Sequence, residues 1–228
     1  MSKGRARREA INPTENDNSK KHIFIFGLVT RNKGGFMKKY EYFNYNFYGD
    51  CNTDYSFVGS DLKELFETCF KYCDSFVVRL VTRCTAEKLP SSLDKYRISI
   101  SEEISDMYGE MIIIGSDEKQ ELRRYKLSPE VKEFILSFTD DLFKWGRRGF
   151  EIQNPEDPAF FREDGSLFFY SSIHDDYCEL YVRDGEDVSH IVDKKNKEDG
   201  TDRWLLRKEF SEEDMKDMRT SDIIYEEW

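Results

Sequence analysis

The sequence lacks an apolar run that approaches the roughly 20 residues of a membrane-spanning helix. The N-terminal region is basic, but its apolar segment is limited to residues 23–29, and Lys20, Lys21 and His22 precede that segment. This order disfavours a secretory signal peptide. We therefore predict a protein that neither spans a membrane nor is anchored to one.

Cysteine is also scarce, and the number of cysteines is odd. The five are Cys51, Cys69, Cys73, Cys84 and Cys178. Cys69 and Cys73 lie four residues apart, and no Cys/His set has the spacing of zinc ligands. This usage predicts reduced, mostly buried thiols in a cytoplasmic protein.

The short motifs of common enzyme classes are missing too. The sequence contains no GxSxG, no HExxH and no pair of CxxC motifs, and Gly34-Gly35 lacks the flanking residues of a P-loop or dinucleotide fingerprint. No nucleophile motif is present for a catalytic histidine to serve. These absences favour a protein that is not an enzyme, and we predict no cofactor.

Charge is plentiful but unevenly distributed along the chain. The net charge of the 228 residues is −11, yet residues 1–39 carry ten Lys/Arg and three Asp/Glu, a net of +7. Residues 40–228 are left with 25 basic and 43 acidic residues, a net of −18. Such a body repels phosphate, so we expect it to avoid nucleic acid and to attract a basic protein.

The change in composition near Met37 suggests a domain boundary. We predict that residues 1–36 form a basic, disordered extension, or that they precede the true start, because Met37-Lys38-Lys39 is typical of a bacterial N-terminus. Residues 37–192 are predicted to form the folded domain. Residues 193–228 are predicted to contain a charged linker followed by a short strand and helix.

Two segments have the apolar periodicity of amphipathic helices. Residues 61–73 form the clearer one, with Ser60 or a capping box from Asp61 at its start. Ser128 and Pro129 open the second helix, which we expect to continue to Trp145. Strand-like segments surround both helices, which predicts an α+β fold with a mostly antiparallel sheet and two main helices packed on it.

Residues 154–182 are the most informative stretch of the chain. Pro155 and Pro158 predict an extended or turning loop over residues 154–158, and residues 163–165 (Glu-Asp-Gly) predict a turn. Residues 167–173 and 177–182 are predicted strands, the second with Tyr177, Glu179 and Tyr181 on one face. The stretch therefore predicts a β-hairpin with acidic turns.

Aromatic and acidic side chains are interspersed along this hairpin, a composition that suits an interface for a basic protein. The candidate partner-binding residues are Glu156, Asp157, Phe160, Phe161, Glu163, Asp164, His174, Asp175 and Asp176. Packing of the aromatic residues on the second helix is the competing interpretation. The sequence leaves both open.

Two further interpretations of the same residues involve chemistry. The carboxylates, together with Glu179, could supply the clustered oxygens that Mg²⁺ or Ca²⁺ prefers, although their spacing is not that of an EF-hand. His174 beside Asp175 could act as a base, but neighbouring side chains point in different directions. A metal-dependent hydrolase is therefore an alternative hypothesis, and a housekeeping domain of another role is a second; we predict no metal at these residues.

The segment PEDPAFFREDGSLFFYSSIHDDYCELYV (residues 155–182) resembles the C-terminal part of small acidic proteins of the bacterial toxin-immunity type. The shared features are a proline-bounded acidic loop, an Asp-Gly turn and a His-acid end to the following strand. The resemblance covers this one stretch and includes no diagnostic catalytic residue. It implies a cytoplasmic protein that neutralises a cognate basic toxin by binding it.

Overall fold

The structure, a computed structural model, describes most of the predicted domain. The described residues are 36–43, 57–80, 89–101, 104–105, 121–138, 140–145, 147–148, 151–152, 155–173, 177–195 and 200–211. The predictions for residues 1–35 and for a helix after residue 211 lie outside these ranges. The boundaries of the domain stay a prediction.

A single eight-stranded sheet organises the described residues, and every neighbouring pair of strands in it is antiparallel. Its order is β10-β1-β9-β8-β7-β2-β4-β3, and β5 and β6 form a separate pair. The strands are β1 Met37–Phe43, β2 Ser75–Leu80, β3 Arg97–Ile98, β4 Glu121–Lys126, β5 Arg147–Arg148, β6 Glu151–Ile152, β7 Glu156–Phe161, β8 Leu167–Ser172, β9 Tyr177–Arg183 and β10 Leu205–Phe210.

Two helices of ten or more residues accompany the sheet in the described part of the chain: α1 Ser60–Tyr72 and α2 Pro129–Phe138. A short helix, α3, spans Ser189–Val192, and 3₁₀ turns cover Ser91–Tyr96 and Leu142–Lys144. The prediction of an α+β fold with a mostly antiparallel sheet and two main helices is confirmed. None of the helices among these residues is long and apolar enough to cross a membrane.

The helix ends follow the sequence in one case and depart from it in two. Ser128 Oγ accepts a hydrogen bond from Val131 N at 3.2 Å, so the predicted cap of α2 is confirmed. The expected continuation of α2 to Trp145 is wrong, because the helix stops at Phe138 and Asp141 starts a separate 3₁₀ turn. At α1 no side chain caps the helix, and Asp61 instead forms ion pairs with Lys194 and Arg203.

Aromatic side chains fill the space between the helices and the sheet. The Phe160 ring of β7 lies 5.6 Å from Phe66 of α1 and 5.1 Å from Phe76 of β2, measured between ring centroids. Trp145 stacks edge-on against Phe66 at 5.5 Å. Each buried phenylalanine of this kind contributes about 1.5–3 kcal/mol. A second, smaller apolar cluster, which includes Tyr181, lies on the opposite face of the sheet.

Strand β7 is a correction to the sequence analysis, which predicted a loop over residues 154–158. Glu156, Asp157 and Pro158 belong to a central strand between β2 and β8. A bulge makes this possible: Asp157 and Pro158 together lie opposite the single residue Val78, and Asp157 has a φ of 49°. Because proline has no N–H to donate to a neighbouring strand, a bulge is the place where a central strand tolerates it.

Candidate functional site

The nine predicted partner-binding residues divide into three groups in the structure. Four are buried in β7, two are exposed in the turn that follows it, and three lie outside the described residues. The buried residues are Glu156, Asp157, Phe160 and Phe161; the exposed residues are Glu163 and Asp164; those outside the described residues are His174, Asp175 and Asp176.

The exposure expected for the four residues of β7 is wrong. Phe160 and Phe161 are 0% and 3% exposed, because β7 has a neighbour on each side and an apolar cluster on each face. The competing interpretation was that the aromatic residues pack on the second helix. Phe160 does pack on a helix, but that helix is α1. These side chains are part of the core and cannot touch a partner while the domain is folded.

The two acids of β7 are buried beside an arginine from the neighbouring strand. Arg79 Nη2 lies 3.1 Å from Glu156 Oε2 and also contacts Asp157 Oδ2. The backbone N–H of Ile173 donates to Asp157 Oδ1 at 2.9 Å. All three charged side chains are at most 3% exposed. A charge in the protein interior is tolerated only with a partner. These three side chains therefore form part of the core at the bulge.

The turn between β7 and β8 holds the two exposed acids. Asp164 Oδ1 accepts from Ser166 N at 3.0 Å and from Ser166 Oγ at 2.7 Å, while Arg183 Nη1 donates to its other oxygen at 2.7 Å. Partial burial raises the pKa of Asp164, but the hydrogen bonds from Ser166 and Arg183 outweigh it and leave the pKa below its ordinary value. Gly165 has a φ of 85°, as the predicted Asp-Gly turn requires.

A second acidic segment, between β9 and α3, lies against this turn. It contains Asp184, Glu186 and Asp187, and its backbone is tied to α1 by a 2.8 Å hydrogen bond from Asp187 N to the hydroxyl of Tyr72. Arg162 joins the two segments through a bidentate ion pair with Glu186, with both N···O distances at 2.6 Å.

We call this region the acidic end, formed by Glu163, Asp164, Asp184, Glu186 and Asp187. Among the described residues, Glu163, Asp184 and Asp187 take part in no ion pair within 4.0 Å.

One large apolar side chain is exposed at the acidic end. Phe36 is 57% exposed, and its backbone bonds to Asp184 twice: Phe36 N donates to Asp184 Oδ2 at 3.3 Å, and Asp184 N donates to Phe36 O at 3.2 Å. An exposed ring beside carboxylates is the composition expected of an interface for a basic protein. This contact could not be predicted from the sequence, because Phe36 and Asp184 are 148 residues apart.

A buried network on the opposite face of the sheet from α1 was missed for the same reason. Glu179 is 1% exposed; Lys39 Nζ lies 2.6 Å from its Oε1, Tyr181 donates to its Oε2 at 2.5 Å, and Tyr177 also donates to it. Burial and the nearby carboxylate raise the pKa of both tyrosines. Burial lowers the pKa of Lys39, but Glu179 and Glu41 more than compensate and raise it overall. The sequence predicted that Tyr177, Glu179 and Tyr181 share one face of the strand, and both tyrosines do contact Glu179. It could not predict that Lys39 joins them.

The remaining candidates for a functional site are the buried cysteines, a groove between α1 and α2, and possible metal ligands. Cys69 and Cys178 are buried, and burial raises the pKa of both thiols well above the ordinary value, so they are poor nucleophiles. A groove of about 370 Å³ between α1 and α2 is lined by Leu62, Phe66 and Leu136, among others. The described ranges contain no group of three or more His, Cys, Asp or Glu side chains that could hold a metal ion.

No family model, curated protein or solved structure matches the chain.

Proposed function

We propose that the protein is a non-enzymatic binding protein that holds a basic protein partner against its acidic end. The observation that carries the proposal is that Glu163, Asp184 and Asp187 are exposed on two linked segments, and that Asp184 bonds to the backbone of Phe36, a residue that is 57% exposed. The finer form of the proposal, suggested by the resemblance to toxin-immunity proteins, is neutralisation of a basic toxin in the cytoplasm.

Charge supports this role. Residues 40–228 carry a net charge of −18, so the domain attracts a cationic protein from a distance and repels nucleic acid. Long-range attraction of this type raises association rates and weakens as salt screens it over about 8 Å at physiological ionic strength. Carboxylates that form no ion pair with the described residues are the ones a cationic partner can bind without first displacing a basic side chain of the described part of the chain.

The exposed carboxylates and the Phe36 ring are expected to affect different rate constants of binding. Exposed charges at the edge of an interface mainly govern association, whereas an apolar side chain that becomes desolvated mainly governs dissociation. Glu163 and Asp184 are thus expected to accelerate the encounter, and Phe36 is expected to prolong the complex. Phe160 and Phe161 have no direct part in it.

The experiment starts from a pull-down that identifies a basic partner, followed by surface-immobilised kinetics at low and high salt. The double variant Glu163→Lys/Asp184→Lys is expected to slow association about tenfold at low salt, with a smaller effect at high salt. Phe36→Ala should instead accelerate dissociation. The matched control is Glu67→Lys/Glu133→Lys, which makes the same change in net charge on exposed positions of α1 and α2.

The control decides between a specific surface and a general charge effect. If the two double variants slow association equally, net charge alone governs the encounter and the acidic end is not the interface. If neither double variant nor Phe36→Ala changes either rate, the partner binds elsewhere and the proposed function fails at this surface.

A further inference from the structure

The acidic end is built from two chain segments that two arginines, Arg162 and Arg183, link. Glu163 and Asp164 belong to the turn between β7 and β8, and Asp184 and Asp187 belong to the segment between β9 and α3. Like charges repel, and the repulsion grows as the separation falls. Arg183 links the segments through an ion pair with Asp164 that is partly exposed, with its own side chain 22% exposed, whereas the link made by Arg162 is largely buried.

Arg162 contacts both segments with a single guanidinium group. Its Nε and Nη2 each lie 2.6 Å from Glu186, its Nη1 donates to the carbonyl oxygen of Leu167 at 2.5 Å, and its Nη2 donates to that of Tyr181 at 2.5 Å. The group is also 5.0 Å from the centroid of the Phe168 ring. The Arg162 side chain is only 6% exposed, so these contacts are largely shielded from water.

Only arginine has the donors for this arrangement. Its planar fork directs several N–H groups at fixed angles, whereas a lysine ammonium has three donors on one atom and cannot reach two backbone carbonyls and a bidentate carboxylate together. A lysine at this position would keep the positive charge and lose the geometry. Replacing Arg162 with lysine therefore tests the geometry of its contacts while the net charge stays the same.

We infer that Arg162 is a positioning residue for partner binding: it joins the two acidic segments into one surface without touching the partner. This inference rests on the proposed function of the acidic end. It assigns to a buried arginine the role of setting the spacing between Glu163 on one segment and Asp184 on the other, and thus of selecting partners whose cationic groups match that spacing.

The test uses the full chain and a decalysine peptide as the cationic probe, with affinity measured by calorimetry at low ionic strength. Arg162→Lys is expected to weaken binding about tenfold, although the net charge is unchanged. The matched control is Arg203→Lys. Arg203 is another arginine with little exposure, and its Nη1 lies 2.6 Å from Asp61 Oδ2, in a different part of the domain. The control should bind decalysine within twofold of the unmodified protein.

Amide hydrogen exchange provides a readout that needs no probe. Gly165 N donates to Arg162 O in the first segment, and Glu186 N donates to Arg183 O in the second. If Arg162 joins the segments, both amides exchange faster together in Arg162→Lys, and neither changes in Arg203→Lys. Acceleration of only one of them would contradict the inference.

The outcomes distinguish this inference from the function on which it rests. If Glu163→Lys/Asp184→Lys leaves decalysine binding unchanged, the acidic end does not bind cations and both ideas fail. If that variant weakens binding but Arg162→Lys does not, the function stands and the positioning role is overturned. Should Arg162→Lys fail to fold, the exchange rate of the Gly165 amide is compared between Glu186→Gln and Glu133→Gln, which removes the same charge on α2. Equal exchange rates in that pair would overturn the role, and faster exchange in Glu186→Gln alone would support it.

Discussion

Glu156 and Asp157 carry the same kinds of side chain as Glu163 and Asp164, but the two pairs differ in burial and in their ion-pair partners. The two pairs are separated by a few residues of one strand, yet the first is 0% exposed and the second lies in an exposed turn. The first pair shares one buried arginine across the sheet, while Asp164 is held by a partly buried arginine and a serine. Acidic residues in one hairpin thus serve the core at one end and the solvent-facing surface at the other.

The largest expected effect comes from removing the arginine that serves the buried pair. Arg79→Met leaves Glu156 and Asp157 in the core without their arginine partner, which we expect to lower the free energy of unfolding by about 3–5 kcal/mol. The same change at Arg183, the partner of Asp164, should cost about 0.5–1 kcal/mol because that pair is partly exposed. Urea unfolding of both variants checks the contrast. Equal losses would mean that the two pairs do not differ as their burial indicates.

The aromatic residues provide a second contrast of similar size. Phe160→Ala should lower the free energy of unfolding by about 3–5 kcal/mol, since the ring is fully buried beneath α1. Phe36→Ala should change it by no more than about 0.5 kcal/mol, because that ring is mostly exposed. Thermal or urea unfolding is the measurement. A large loss for Phe36→Ala would show that this ring serves the fold instead of a surface.

A smaller effect concerns the pH dependence of the exposed pair. The pKa of Asp164 is lower in the folded protein than its ordinary value of 3.8, so its contribution to stability is complete above that value and is lost as the pH falls through the folded pKa. Asp164→Asn should therefore destabilise the protein at pH 7 by about 0.5–1 kcal/mol, and the difference should shrink below about pH 4. Unfolding curves from pH 7 to pH 3 test this. A difference that stays constant with pH would exclude the ionic contribution of Asp164.

The smallest expected effect is that of divalent cations. If the carboxylates at the acidic end only form turns and a partner surface, Mg²⁺, Ca²⁺, Mn²⁺ and EDTA should leave the melting temperature unchanged. A site present at 100 times its dissociation constant would add about 2.7 kcal/mol, which a thermal melt resolves easily. A shift of that size, abolished by Glu163→Lys/Asp184→Lys, would favour the metal-dependent alternative.

The features that the sequence predicted well are local ones. The spacing of Leu62, Leu65 and Phe66 identifies α1 to within one residue at each end, because a period of 3.6 is visible in a single segment. Alternation along β9 assigns its two faces correctly, as Cys178 and Tyr181 lie in different apolar clusters. Gly165 marks its turn through the φ that only glycine adopts freely.

The features that could not be predicted depend on pairing between distant segments. Pro158 indicates a loop, and only the pairing of β7 with β2 shows that a bulge accommodates it within a strand. The arginine that allows Glu156 to be buried is 77 residues away, and the acidic end combines two segments through Arg162. Composition indicated an acidic surface on this hairpin, but the choice between Glu156 and Glu163 required the register of the sheet.

The position of β1 in the sheet has a consequence for how the chain folds. This strand is the first one described, yet its two neighbours are β9 and β10, the last two, so residues near position 40 pair with residues near 180 and 206. Contacts between such distant parts of the chain make folding slow, because the entropy of closing a long loop is lost before the contacts form. During synthesis β1, with its aromatic residues, remains without both of its final neighbours until the chain has been made through β10, and in that interval it is prone to aggregate. We therefore expect the yield of native protein to depend on chaperones and on the rate of translation.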